Sequence, residues 1–134
     1  MTQFPRKIVT PDGIQFDGEA QQVILRTTGG DVAIMARHVN YLAPLGMGEA
    51  TVVVDAKKRF AACIGGMVSV MDGAVTLVPT AFEWADQIDV SRAEASQHRA
   101  EAVLADKGAS DTDVLLAKAR LKRALVRKSV SSHK

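Results

Sequence analysis

The sequence predicts a β + α chain, an N-terminal β-sandwich followed by a C-terminal antiparallel two-helix hairpin, and three observations carry that prediction. From Arg6 to about Trp84 the apolar residues come in short, β-branched runs separated by turn dipeptides, the spacing of a sandwich or barrel. After "TAFEWADQ" the period becomes helical. Around Gly108 a short loop, "KGASD", folds two helical segments back on each other. With 134 residues and 47% hydrophobic content, the chain has room for one ordinary domain or for a small β unit with an appendage. The boundary is expected at the period change, giving 1–86 and 87–134.

The strands follow in order. "RKIVT" ends at "PDG", where Pro11 pre-sets φ, Asp12 bonds its own backbone and Gly13 accepts a positive φ. "IQFDGEAQQVILRT" ends at "TGG", and "EATVVVDA" breaks near the two lysines that follow. Between them, "DVAIMARHVNYLAPLGMG" keeps neither period and reads as a strand followed by a bend. "MVSVM" and "AVTLVP" flank Asp72-Gly73, the strongest hairpin signal in the chain. Strands of five to seven residues are expected throughout.

Asp89 is placed to cap the first helix, since its carboxylate can accept from first-turn amides and its charge suits the positive end of the dipole. That helix is expected to reach about Asp106. Ser110 or Asp111 then caps a second helix lasting to about Lys128. Neither helix has a deep apolar face. Val90, Ala93, Ala100 and Leu104 form a stripe on the first, two of the four being alanine. On the second, Val114, Ala117, Leu121 and Leu125 form one stripe, and Leu115, Ala119 and Val126 a patch on another side. Two patches fit two docking partners; they fit equally a single broad buried face with a few exposed side chains. Alanine contacts bury little area at about 25 cal/mol per Å², so the hairpin is expected to open or swing at modest cost.

Charge is unevenly placed. The net charge is +2, but residues 1–86 hold seven Lys/Arg against nine Asp/Glu and residues 87–134 hold ten against six. That small net value does not mark a general nucleic-acid or membrane-surface binder, and the basic character sits in the last segment. The single cysteine, Cys63 in "RFAACIGG", excludes an intramolecular disulfide and is expected to be a buried, inert thiol. No N-terminal stretch resembles a signal peptide, and no apolar run approaches the roughly 18 residues that span a bilayer. A cytosolic chain, or one docked on something cytosolic, is expected.

Chemistry-bearing motifs are few. "TTGGD" and "CIGGM" lack the spacing of a phosphate-binding glycine loop or dinucleotide fingerprint. His38, His98 and His133 lie far apart, no Cys/His spacing fits a metal, and His38 reads as a packed or turn histidine. Hydrolysis and transfer chemistry are not expected. The arginines are more informative. Arg92 and Arg99, seven apart, lie roughly 20° apart around a helix, away from the Val90/Leu104 stripe. Arg123 and Arg127 are neighbours at i, i+4, with Arg120 close on the same flank. A turn near Gly108 brings Arg99 level with Arg120 to Arg123, and Arg92 near Arg127. These guanidiniums are either solvated faces of two surface helices or, if the flanks share a groove, up to five forks of donors that require a counter-anion such as a polyphosphate.

The ordered motifs "IVTPDGIQFDGEAQQVILRTTGGDVAI", "GGMVSVMDGAVTLV" and "IDVSRA" followed by "LKRALVRKSV" resemble, over nearly the whole chain, the epsilon subunit family of bacterial F-type ATP synthases. The pairing of the last two motifs is similar to the members whose folded hairpin binds ATP. The resemblance implies a non-catalytic central-stalk subunit of a proton- or sodium-translocating enzyme, at the cytoplasmic face of the bacterial cell membrane. Its sandwich joins the gamma subunit to the c-ring, touching the membrane only through the complex. Its hairpin lies folded or extends toward the alpha/beta hexamer and blocks ATP hydrolysis.

Carried onto matching positions, the ATP contacts are Glu83 just before the linker, Ile88 and Asp89 at the adenine and ribose end, Ala93 beside them, and Arg92, Arg99, Arg123 and Arg127 toward the phosphates. ATP is thus implied as a regulatory ligand, with or without magnesium, and no residue is assigned to a metal. The chain departs from the family at "ARHVN", Ala36 to Asn40, which keeps His38 but lacks the prolines and glycine many relatives carry there. Two rivals stand beside the ATP latch. One is the same subunit without nucleotide binding; the other is a β-sandwich module holding RNA through its basic last helix.

Overall fold

A computed structural model describes residues 4–10, 13–36 and 39–133. Pro11 and Asp12, with the turn expected there, and Arg37 and His38 lie outside the described residues. Among those described are ten strands: β1 (Phe4–Thr10), β2 (Gly13–Ala20), β3 (Gln22–Thr27), β4 (Gly30–Met35), β5 (Tyr41–Pro44), β6 (Met47–Val54), β7 (Lys57–Ile64), β8 (Met67–Met71), β9 (Ala74–Val78) and β10 (Ala81–Trp84). A 3₁₀ turn (Ala85–Gln87) precedes α1 (Val90–Ala105) and α2 (Asp111–Ser131). Internal contacts divide the chain into two units, Met1–Trp84 and Ala85–Lys134.

In the first unit the strands form two five-stranded sheets, ordered β2-β1-β9-β8-β5 and β10-β7-β6-β3-β4. The pairing of β1 with β9 is parallel, and the other ladders are antiparallel. Alternation appears where one face is wet: in β8 and β9 the buried residues are Val68, Val70, Val75 and Leu77, and their neighbours point outward. Central β6 and β7 instead bury consecutive runs, Ala50–Val53 and Ala61–Ile64. The core between the sheets gathers Val23, Leu25, Ile34, Val52, Val68, Val70, Val75 and Leu77 with Phe82 and Trp84. Trp84 meets Phe82 edge-on at 4.9 Å between centroids, and the Arg59 guanidinium carbon lies 3.7 Å from the Trp84 ring centroid, a cation–π contact.

Two stretches resolve differently from the sequence pattern. "IQFDGEAQQVILRT" is two strands broken at Gln21, whose side-chain oxygen accepts from the Ala56 amide at 2.8 Å. The segment read as one strand and a bend holds β4, β5 and the start of β6. Their register is set by partners distant in sequence: β5 on β8 and β6 on β7. Asn40, in the connection before β5, accepts from the Asp72 amide at 2.9 Å and ties that loop to the β8–β9 turn.

The Asp72-Gly73 hairpin forms as its residues require, with φ of +50° and +80° and Met71 opposite Ala74. The β6–β7 hairpin turns one step earlier than the lysines indicated, at Asp55-Ala56, with φ of +51° and +62°. Alanine is a poor occupant of that region, because Cβ crowds the following carbonyl at about 1–2 kcal/mol. Ala56→Gly keeps the amide that Gln21 receives and removes that crowding, offset in part by the extra freedom of glycine in the unfolded chain. The expected result is a gain of about 0.5–1 kcal/mol, read as a higher denaturant midpoint at unchanged m-value.

Cys63 is 4% exposed in the core, and burial pushes its thiol up to about 12, so it is a neutral packing group at physiological pH.

In the second unit, Asp89 caps α1: its Oδ1 accepts from the Arg92 amide at 3.1 Å. Ser110 caps α2 by accepting from the Asp113 amide at 3.1 Å, and α2 runs to Ser131 rather than stopping near Lys128. The loop is held by Asp106, whose Oδ1 accepts from the Gly108 amide at 2.9 Å. The helices pack along each other as a hairpin, with Lys128 Nζ donating across to Gln97 Oε1 at 2.9 Å.

The buried side chains are Ala93 and Ala100 on α1 and Ala117, Ala124 and Val130 on α2. Ala117 of the expected α2 stripe is buried, but Ala124 continues the buried face in place of Leu125, which is 46% exposed, while Leu115 of the second patch is 69% exposed. The four alanines are spaced seven apart on each helix, a repeat that keeps one seam facing a partner helix. A hairpin turning at 106–110 sets Ala93 level with Ala124 and Ala100 level with Ala117.

Candidate functional site

The second unit carries a groove of 720 Å³ between its helices. Along its base lie the buried Ala100 and Ala117, with Val103 and Leu116 beside them. Arg99 enters from α1 and Arg120, Arg123 and Arg127 from α2. The reason is local geometry. Positions 120, 123 and 127 follow the i, i+3, i+4 rule and share a flank of α2, and Arg99 sits one residue before the alanine seam of α1. Small residues in the seam leave room above them, and the long arginine stems form the walls.

Electrostatics make the groove a demanding one. Among the described residues, no hydrogen bond or ion pair holds the guanidinium of Arg99, Arg120 or Arg123, whereas Arg127 has a partner. The two groove carboxylates, Asp106 and Asp113, belong to the loop end, one engaged with the Gly108 amide and the other in the first turn of α2. The groove is therefore cationic along its length and acidic where the hairpin turns. Arg99, Arg120 and Arg123 supply forked donors with no carboxylate paired to them among the described residues, so the chemistry the groove fits is an elongated polyanion.

The residues singled out in the sequence divide among several places. Arg99, Arg123 and Arg127 converge on the groove, together with Arg120. Arg92 is exposed in the first turn of α1 and does not line it. Ile88 is 3% and Ala93 5% exposed, both buried at the start of α1. Asp89 is exposed and uses one carboxylate oxygen as the helix cap. Glu83 belongs to β10 of the first unit, where it stands opposite Ala62 of β7. Asp106 and Asp113 were not singled out from the sequence; their place beside Gly108, at the only turn of a helical hairpin, is the signal that locates them. Among the described residues no group of three or more His, Cys, Asp and Glu side chains could hold a metal ion.

A chain whose sandwich and helical hairpin follow each other in this order defines a class of small two-unit proteins, and comparison with known proteins gives the class its name. Residues 3–85 match the family model "ATP synthase, Delta/Epsilon chain, beta-sandwich domain", and residues 86–132 match "ATP synthase, Delta/Epsilon chain, long alpha-helix domain". An ATP synthase epsilon chain of Ruminococcus albus is 42% identical over the full length of both chains. Another from Shouchella clausii is 35% identical, over 95% of this chain and 93% of its own.

The chain belongs to the ATP synthase delta/epsilon family, and within it to the epsilon chains. Among solved structures, a chain of the Euglena gracilis mitochondrial ATP synthase, resolved with OSCP, F1 and c-ring, aligns at a TM-score of 0.85 and 17% identity. That alignment covers 96% of this chain and 81% of the other. A chain of the Tetrahymena thermophila central stalk and c-ring aligns at 0.63 with 17% identity, over 97% of each. Those likenesses speak to the fold.

Proposed function

We propose that this chain is a non-catalytic coupling and inhibitory subunit whose C-terminal hairpin binds ATP as a regulatory latch. The observation that carries the reading is the groove in which four arginines meet, three of them with no partner among the described protein groups. Adenine and ribose are assigned to the start of α1, at Ile88, Asp89 and Ala93, and the phosphates to Arg99, Arg123 and Arg127, with Arg92 as a flanking contact. The alanine seam holds the helices together weakly, so the folded hairpin is readily biased. A ligand at 100 times its dissociation constant that binds only the folded form stabilises it by about 2.7 kcal/mol.

The sandwich is assigned to the gamma subunit and the c-ring, at the cytoplasmic face of the bacterial membrane. An exposed apolar row supports such docking: Pro44, Met67 and Val78 stand opposite one another across β5, β8 and β9, with Leu42 69% exposed one row away. In the extended state the exposed Lys118, Lys122 and Arg123 of α2 face acidic surfaces of the alpha/beta hexamer, Arg123 being the one of the three that also lines the groove, and ATP hydrolysis is blocked when ATP is released. Calorimetric titration of the full chain with ATP tests the latch directly. Saturable binding below millimolar ATP is expected; no heat of binding up to millimolar ATP sinks the latch and leaves a subunit that moves without nucleotide.

A further inference from the structure

Arg120 is the groove arginine that the family resemblance does not assign, and its position gives it a separate task. Counting equally from the turn at 106–110, position 120 of α2 stands level with position 97 of α1, close to Arg99 and farther toward the loop than Arg123 or Arg127. Asp89 lies eight residues from that level, roughly 12 Å along the axis at 1.5 Å per residue. A nucleoside triphosphate with its ribose at Asp89 therefore points its terminal phosphate at the pair formed by Arg99 and Arg120. Beyond them the groove turns acidic at Asp106 and Asp113, which repels further negative charge and stops the phosphate chain there.

We propose that Arg120 is the specificity-determining residue of this groove, holding the terminal phosphate with Arg99 and so separating nucleoside triphosphates from diphosphates. The inference rests on the nucleotide-latch reading. Two features support it. Arg120 lines the groove beside Arg123, one turn away on the same flank, and no protein hydrogen bond or ion pair occupies its guanidinium among the described residues. The charge order along the groove, arginines and then carboxylates, also gives a bound polyphosphate a fixed direction and end point.

The test compares ATP and ADP by calorimetry at fixed ionic strength on the wild-type chain, Arg120→Ala, Arg120→Lys and Lys118→Ala. Lys118 is an exposed α2 cation that does not line the groove, and its removal changes net charge equally. Arg120→Ala is expected to weaken ATP about tenfold or more while ADP moves less than threefold, since a charge-assisted contact to the terminal phosphate is lost. Arg120→Lys restores part of the ATP affinity, and Lys118→Ala leaves the ATP/ADP ratio unchanged. Equal weakening of both nucleotides by Arg120→Ala, or unchanged ATP affinity, overturns the inference while leaving the latch intact. Failure of the wild-type chain to bind either nucleotide at millimolar concentration overturns both.

Discussion

Replacing Arg99 by alanine is expected to weaken ATP about ten- to hundredfold, the largest loss of any single groove substitution. Arg99 is the one groove arginine contributed by α1, so its loss leaves the phosphates held from one side only. A hydrogen bond to a charged group contributes about 1.5–3 kcal/mol, and each 1.4 kcal/mol is a factor of about ten in affinity. Calorimetry at constant salt, with Lys122→Ala as a matched change of charge outside the groove, separates the contact from the general field. Arg99→Ala binding ATP within twofold of wild type contradicts the phosphate assignment. The helix fold itself should survive, because Arg99 is exposed and the seam consists of its neighbours Ala93 and Ala100.

Gly66→Ala carries the largest expected effect on stability. Gly66 adopts φ +90°, and a Cβ there would stand 2.0 Å from the Val78 carbonyl oxygen and 2.6 Å from the Pro79 Cα. Both are backbone atoms, so no side chain can swing aside. The Gly66 carbonyl also accepts from the Leu45 amide at 2.8 Å, which couples any shift of this turn to the strand connection beside it. A destabilisation of about 3 kcal/mol or more is expected, from the left-handed conformation and the overpacking together. In a unit of this size that lowers the melting temperature by more than about 12 °C, followed by circular dichroism. Gly73→Ala is the contrast. Its φ of +80° is equally unfavourable, but nothing lies within 4 Å of the added Cβ, so the expected loss is about 1–2 kcal/mol. Equal melting temperatures for the two variants would contradict the steric argument.

That contrast also explains the "CIGGM" motif, whose spacing does not suit phosphate binding. Its two glycines, with φ of +65° and +90°, carry the chain from β7 in one sheet to β8 in the other over the Val78–Pro79 backbone. Their task is passage between sheets.

What was legible in the sequence was local chemistry. Asp89 and Ser110 could be read as caps because the carboxylate and hydroxyl bond amides only three residues ahead. Asp72-Gly73 could be read as a turn because both residues tolerate positive φ, and the arginine flank of α2 because i, i+3, i+4 spacing fixes a face. The helical break after the strands was visible as a change of period. Asp55-Ala56 was not visible, since alanine carries no signal for φ near +62° and the turn is imposed by the β6–β7 register. The same holds for β5, whose four residues pair with Val70 to Met67 from a segment some 25 positions away.

The sequence by itself determined the order of the two units, the caps and turns, and the presence of arginines on one flank of each helix. Only the tertiary structure decided which of those arginines meet. It turned α2 so that Ala124 rather than Leu125 entered the seam, brought Arg99, Arg120, Arg123 and Arg127 around one groove, left Arg92 outside it, and closed the loop end with Asp106 and Asp113. The physical reason is that helical periodicity fixes angles only within one helix. The rotation of each helix about its own axis is set by its partner, here through small side chains that can be seen in a sequence but do not announce which neighbour they will face.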